Sequence, residues 1–340
     1  MARLIIGTRG SKLALVQSEK VAADLRAAHP GLEVELKIIS TKGDRVLDVA
    51  LSAIGDKGLF VKELEQALLD GEVDLCVHSC KDLPSDLPAG LILAAFPQRA
   101  DVRDALVLRT SELKIENVEL RNSDMLNSTL SMLHSGAVVG TSSLRRASQL
   151  RALRPDLELR DVRGNVDTRL RKLADGNYDA IVLAAAGLAR LGLWDAQSDS
   201  FSMDGLRFVI VPLAPEVMLP AVAQGVLAIE ARADDAATLD RLASLDHHAT
   251  RVTTLAERGF LRRLEGGCQV PIAAYAEISI QQAQLLLHGL VSSLDGRTIV
   301  SGVRVGNLAE AAALGTALAE ELLAGGAEAI LDEIRVGKAS

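Results

Sequence analysis

Three segments of the chain repeat one arrangement, in which an apolar run ends in small polar residues, an arginine sits at the junction, and a helical pattern begins. They are Gly7-Thr8-Arg9-Gly10-Ser11, Gly140-Thr141-Ser142-Ser143-Leu144-Arg145-Arg146 and Arg163-Gly164-Asn165-Val166. The first turn of a helix leaves backbone N–H groups unpaired and carries partial positive charge, so such ends receive anions. The Ser and Thr hydroxyls read first as helix caps. Arginine at a helix start opposes the dipole, and Arg145 and Arg146 do so side by side; a compensating anionic ligand is the explanation the sequence offers. Guanidinium groups pair bidentately with carboxylates or phosphates. A cleft collecting Arg9, Arg145, Arg146, Arg163, Arg169 and Arg190 therefore suits a ligand with several negative groups. A Walker loop is absent and the glycine spacing is not a dinucleotide fingerprint, which favours a polycarboxylate over a nucleotide.

Two further segments carry chemistry. His78-Ser79-Cys80-Lys81-Asp82-Leu83-Pro84 follows an apolar strand, the usual place for functional side chains in an open α/β sheet. Asp82 reads either as a turn former or as a carboxylate that stabilises a cation, and His78 as a hydrogen-bonded core histidine. A Ser-His-Asp hydrolase lacks its nucleophile elbow here. In Leu264-Glu265-Gly266-Gly267-Cys268-Gln269, two glycines end a helix and leave the Cys268 thiol on a connection, where it reads as a covalent attachment point or a catalytic thiol. Cys76 reads as packing and Cys80 is ambiguous. The three cysteines fit no paired zinc spacing, so no metal is expected.

The elements that must hold these residues follow from periodicity. Strands are expected at 3–7, 32–38 and 73–77, with helices between them, giving a βαβ layout and a mainly parallel sheet. Residues 41–58, with Gly43, Gly55 and Gly58, form a connection long enough to be a lid or a surface excursion. The alternation restarts at 103–108 and runs through strands at 137–140, 157–162 and 179–184, with helices at 143–153 and 166–174; residues 110–135 look like an insertion. From 247 a helix, two alternating runs, Asp295-Gly296 and a third run indicate an antiparallel sheet with one helix against it, a small α+β domain.

The 340 residues suffice for two or three domains, and a composition 49% hydrophobic and 24% charged excludes disorder and collagen-like sequence. With 2% aromatics and a net charge of -8, a base-stacking nucleic-acid surface is not expected. The most apolar long stretch, 209–229, is broken by Pro212, Pro215, Glu216, Pro220 and Gln224, so no membrane span is expected. The amino terminus turns polar too soon for a secretory signal, and the expectation is a cytoplasmic protein.

Taken in order, Gly7 to Ser11, Lys57-Gly58-Leu59-Phe60, His78 to Pro84, Gly140 to Arg146, Arg163-Gly164-Asn165, Leu219-Pro220-Ala221-Val222-Ala223-Gln224-Gly225 and Leu261 to Pro271 closely resemble the porphobilinogen deaminase (hydroxymethylbilane synthase) family over nearly the whole chain. The resemblance implies a transferase of tetrapyrrole biosynthesis that joins four porphobilinogen molecules, releases ammonia and frees linear hydroxymethylbilane. It implies a covalent dipyrromethane cofactor on Cys268, a catalytic aspartate at Asp82, and substrate or cofactor contacts from Arg9, Ser11, Lys57, Ser79, Lys81, Thr141, Ser142, Ser143, Arg145, Arg146, Arg163, Gly164, Asn165, Arg169, Arg190 and Gln224. The implied fold is α/β, with two periplasmic-binding-protein-like domains and a small α+β C-terminal domain. Residues 1–98 and 226–243 would form the first domain, 103–219 the second and 247–340 the third. A monomer is expected, with no nucleic acid or membrane partner. Ala223 stands where the family has glycine, and Asp167 lies close to Arg163 and Arg169. The competing readings are a non-catalytic solute-binding protein, since two lobes around an anion cleft serve both, and a thiol-dependent hydrolase, for which Cys268 lacks a histidine partner.

Overall fold

Leu4 and Ile6 are buried and share one face of a strand, β1 (Arg3–Thr8), from which the first layer grows. The computed structural model describes residues 3–45, 61–109, 130–195, 198–265, 270–279 and 281–336. Lys57, Cys268 and most of the 41–58 and 110–135 segments lie outside the described residues. After β1 the Ser11 hydroxyl caps α1 (Lys12–Ala28) by accepting from the Ala14 N–H at 3.3 Å, and Val21, Ala22 and Leu25 present the buried stripe. Next come β2 (Glu33–Ile38), α2 (Lys62–Leu69), β3 (Leu75–Ser79) and β4 (Leu91–Ala95).

The second layer contains β5 (Asp104–Arg109), β6 (Val138–Gly140), α3 (Leu144–Leu153), β7 (Glu158–Arg160), α4 (Val166–Ala174), β8 (Ala180–Ala184), α5 (Ala185–Arg190), β9 (Ser200–Met203) and β10 (Leu206–Leu213). The chain then gives β11 (Leu227–Arg232), α6 (Ala236–Leu242) and α7 (His248–Arg263). It ends in β12 (Ile272–Ser279), β13 (Gln284–Ser292), β14 (Ile299–Asn307), α8 (Ala311–Leu322) and α9 (Glu328–Val336).

Three sheets result, with orders β2-β1-β3-β11-β4, β7-β6-β8-β5-β10-β9 and β12-β13-β14. The first is mixed rather than mainly parallel, because β11 arrives from the second layer and enters antiparallel between β3 and β4. In the second sheet β5 is antiparallel to both β8 and β10. Alternate residues send Val77, Leu75 and Ile229 toward α1, and Cys76 toward Leu64 and Leu68 of α2. The β9–β10 hairpin has no alternating pattern to announce it, since Phe208, Ile210 and Val211 are buried on both faces of a strand inside the sheet.

The third sheet is antiparallel throughout, as its alternation indicates, and Gly296 at φ +73° turns the chain between β13 and β14. Two helices, not one, follow it, since Gly326 at φ +110° interrupts the helical run. α7 and α8 cross so closely that a Cβ on Gly315 would lie 2.0 Å from the Ala256 carbonyl oxygen. The core around Phe260 is continuous with Cys80, Leu83, Phe96, Val222 and Val226, so the third layer rests on the end of the first sheet where β3 terminates.

Candidate active site

β3 ends at Ser79 and passes directly into a 3-10 turn, Cys80–Asp82, in which Cys80 is buried, Lys81 half-buried and Asp82 exposed. The Cys80 N–H donates to the Val226 carbonyl at 3.0 Å, which fastens the turn to the approach of β11. Gln17 of α1 donates from Nε2 to Ser79 Oγ at 3.1 Å. Gln17 was missed in the sequence, because its partner is 62 residues away.

From the second layer come Arg145 and Arg146, at the start of α3, with 5% and 6% of their surface exposed. Between them lies Asp104, fully buried: its Oδ2 accepts from Arg145 Nη1 at 2.7 Å, and its Oδ1 accepts from Arg146 Nε and Nη2 at 2.9 and 2.7 Å. The anion that offsets two arginines at a helix start is thus a residue of the chain, which corrects the expectation that a ligand must supply it. Burial alone would raise the Asp104 carboxyl, but Arg145 and Arg146 overcome it and hold it far below the ordinary carboxylate range. Asp104 itself was not singled out in the sequence, since its partners lie about forty residues on. Gln224, also fully buried, donates from Nε2 to Asp104 Oδ1 (3.0 Å) and the Val102 carbonyl (2.8 Å), and its Oε1 accepts from Lys81 Nζ at 3.3 Å. One amide side chain therefore joins the turn after β3 to the arginine pair of the second sheet.

The remaining candidates divide by role. Ser11 and Ser143 cap α1 and α3 as first read, whereas Thr141 Oγ1 accepts from the Ser143 N–H at 3.3 Å in the turn before the cap and Ser142 Oγ donates across to the Val162 carbonyl at 2.9 Å. Asn165 occupies the N-cap position of α4, but its side chain makes no cap bond and is exposed. Gly164, at φ +108°, accepts from Arg169 Nε at 2.8 Å. Arg190 Nη2 donates to the Gly225 carbonyl at 2.7 Å. Arg9 follows β1 directly and is half-buried.

Two buried guanidinium N–H groups, Arg145 Nε and Arg163 Nη1, have no acceptor among the described residues. Burial lowers Lys81 to about 8, helped by Arg146 and Arg145 and opposed by Asp82 and Asp104. Burial likewise lowers Arg169 to about 10, with Arg146 and Arg163 adding to it and Asp82 opposing. Arg190 falls to about 10 by burial. Asp82 of the first layer therefore acts on Lys81 beside it and on Arg169 of the second layer. Five cations, Lys81, Arg145, Arg146, Arg163 and Arg169, face two carboxylates, Asp82 and Asp104, and the excess positive charge suits an acidic ligand.

A Ser-His-Asp triad built on His78 does not survive this geometry, while the thiol-hydrolase reading of Cys268 falls outside the described residues. His78 is buried and its Nε2 meets Glu230 Oε2 at 2.9 Å. Burial pushes the Cys80 thiol up to about 11 and that of Cys76 well above its ordinary value, so both are packing residues. Among the described residues no group of His, Cys, Asp and Glu could hold a metal ion, and no helix is long and apolar enough to cross a membrane.

Fold and site together define a mixed α/β protein in which cations from two sheets gather about one exposed carboxylate, Asp82. The model of the porphobilinogen deaminase dipyrromethane cofactor binding domain matches residues 4–240, and that of the porphobilinogen deaminase C-terminal domain matches 251–324. Porphobilinogen deaminase from Roseiflexus sp. (strain RS-1) is 54% identical over 96% of this chain and 98% of its own length. That from Nitratidesulfovibrio vulgaris (strain DP4) is 49% identical over 98% and 97%, and that from Brevibacillus brevis 47% over 98% of each chain. Among solved structures, the LysR family regulator HinK from Pseudomonas aeruginosa aligns at TM-score 0.42 and 16% identity, covering 72% of this chain and 71% of its own. The chain belongs to the porphobilinogen deaminase family. It is an enzyme that polymerises porphobilinogen into hydroxymethylbilane with a dipyrromethane cofactor.

The described residues fit that cofactor. Each of its pyrrole units carries two carboxylates, and the unpartnered donors of Arg145 and Arg163 are the groups such carboxylates would satisfy.

Proposed function

We propose that Asp82 is the catalytic residue, that Cys268 carries the dipyrromethane, and that Lys81, Arg145, Arg146, Arg163 and Arg169 bind the acetate and propionate groups of substrate and cofactor. The observation that supports this most is the exposed carboxylate of Asp82 on the turn after β3, next to Lys81 and within electrostatic reach of Arg169 on α4. Arg9, Ser11, Ser79, Thr141, Ser142, Ser143, Gly164, Asn165, Arg190 and Gln224 support the same cationic site, and for Lys57, which lies outside the described residues, a substrate contact rests on the family resemblance alone. When bound, the dipyrromethane supplies the nucleophilic pyrrole that primes the chain. The burial and raised thiols of Cys76 and Cys80 leave Cys268 as the cysteine suited to covalent attachment.

Loss of ammonia from the aminomethyl carbon of porphobilinogen leaves a cation conjugated with the pyrrole nitrogen. A carboxylate beside that N–H stabilises the cation, while the surrounding cations hold the substrate's carboxylates and keep the ring in place. Asp82→Asn keeps the size and removes the charge. We expect kcat to fall by about a hundredfold or more with KM little changed. Near-normal kcat in this variant would return Asp82 to turn formation.

The same reading places the enzyme in the cytoplasm as a monomer with no nucleic-acid partner. It divides the chain into 1–98 with 226–243, 103–219 and 247–340.

A further inference from the structure

On the face of the first sheet opposite α1, beneath α2, three titratable side chains are almost wholly buried: Glu65 of α2, His78 of β3 and Glu230 of β11, at 6%, 5% and 0% exposure. His78 Nε2 meets Glu230 Oε2 at 2.9 Å across the β3–β11 pair. The other Glu230 oxygen, Oε1, is buried without a hydrogen-bond partner among the described residues, and so is Glu65 Oε1. The remaining groups near them do not supply what is missing. Lys62 lies one turn earlier on α2 and lowers Glu65 less than His78 does, and Cys76 is a buried thiol on β3. Arg232, two residues beyond Glu230, donates to the carbonyls of Leu68 and Val73 and pairs with Asp235 and Asp74. β4 sets Leu93 opposite Glu230, and β1 presents Ile5 to the apolar group around Cys76 and Leu64 on the same face.

Two ionised carboxylates here would share a single imidazole N–H, leaving buried charge without a donor. A buried carboxyl group in that position takes up a proton rather than bear the desolvation cost. We infer that Glu65 carries a proton which it donates to Glu230 Oε1, completing a buried Glu65–Glu230–His78 unit that positions the end of β3 and the Lys81-Asp82 turn. Glu230 then accepts from two donors, one from each neighbouring element. Burial raises the Glu65 carboxyl above its ordinary value and Glu230 adds to it, with His78 and Lys62 opposing. His78 precedes Asp82 by four residues on the strand and turn that carry it, so Glu65 and Glu230 are positioning residues that act through His78.

The test is urea unfolding of the full chain from pH 5.5 to 9, with initial rates at pH 7, for wild type, Glu65→Gln and Glu65→Leu. Neither Gln nor Leu can ionise; Gln keeps a hydrogen-bond donor and Leu has none. The native state holds a proton that the unfolded chain has released, so the wild-type urea midpoint falls as pH rises through the raised pKa of Glu65. Glu65→Gln removes that slope and is the more stable of the two at pH 9. Glu65→Leu lowers kcat at least about fivefold with KM within about twofold, and Glu65→Gln restores kcat to within about twofold. A Glu65→Gln profile with the wild-type slope, or a midpoint as low as that of Glu65→Leu at pH 6, overturns the shared proton. Unchanged kcat in a folded Glu65→Leu variant overturns the positioning role. That role rests on the reading of Asp82 above, whereas the unfolding measurement involves no chemistry, so the two can fail separately.

Discussion

The carboxylate of Glu257 accepts a hydrogen bond of 2.6 Å from the backbone N–H of Ala223, a non-glycine residue held at φ +57°. Glu257 is fully buried on α7 and also pairs with Arg99 (2.6 and 3.1 Å) and accepts from the Ala276 N–H at 2.8 Å. Arg99 lies on the connection from β4 to β5, and Ala223 on the connection from β10 to β11. One carboxylate of the third layer thus grips both passages between the two large sheets, and the strained residue it holds is immediately followed by Gln224.

Left-handed backbone costs an L-residue about 1–2 kcal/mol, part of which glycine gives back in unfolded-state entropy. We expect Ala223→Gly to raise the stability of the folded chain by about 0.5–1 kcal/mol, read as an increase in urea midpoint. A loss of stability would mean that the Ala223 methyl, 1% exposed, packs more usefully than the strain costs.

Asp104 contributes through pH. Its folded pKa is depressed, so the stability it adds is present above the unfolded value near 4 and is lost as pH falls toward the folded one. The wild-type urea midpoint should decline in acid below about pH 4, and Asp104→Asn should lack that component of the slope. Leaving Arg145 and Arg146 buried without their carboxylate should cost about 3–5 kcal/mol at pH 7.

Lys81, lowered to about 8, loses its charge in mildly alkaline solution. KM for porphobilinogen should therefore rise above pH 8 in the wild type. Lys81→Arg, which stays protonated, should hold KM flat across that range, although at a different absolute value because the guanidinium is larger. Parallel KM profiles for the two proteins would remove Lys81 from substrate binding.

If Cys268 bears the dipyrromethane, the intact mass of the active enzyme should exceed that of the bare chain by the adduct. Cys268→Ser should have the mass of the chain alone and no activity. Active protein at the unmodified mass would place the primer elsewhere.

Local chemistry decided what could be read from the sequence directly. Helix starts at Ser11 and Ser143, the turn at Gly296, the buried stripe of α1 and the alternation of β12, β13 and β14 depend on residues within a few positions of one another. The cationic composition of the cleft was legible for the same reason, since each arginine sits in a short recognisable segment. Other features arise only when distant segments meet. Asp104 neutralises arginines about forty residues later, Glu230 covers His78 from 152 residues away, and β11 enters the first sheet only after the chain has run through all the strands of the second. Alanine by its own type disfavours the left-handed turn at Ala223, and only the glycine at the matching family position pointed to it; the turn is held from Glu257, 34 residues further on, by a fully buried carboxylate. A sequence thus sets the propensities and the charges, whereas the pairing of buried charges is settled by which segments the folded chain brings within hydrogen-bond reach, where desolvation makes an unmatched group too costly to leave.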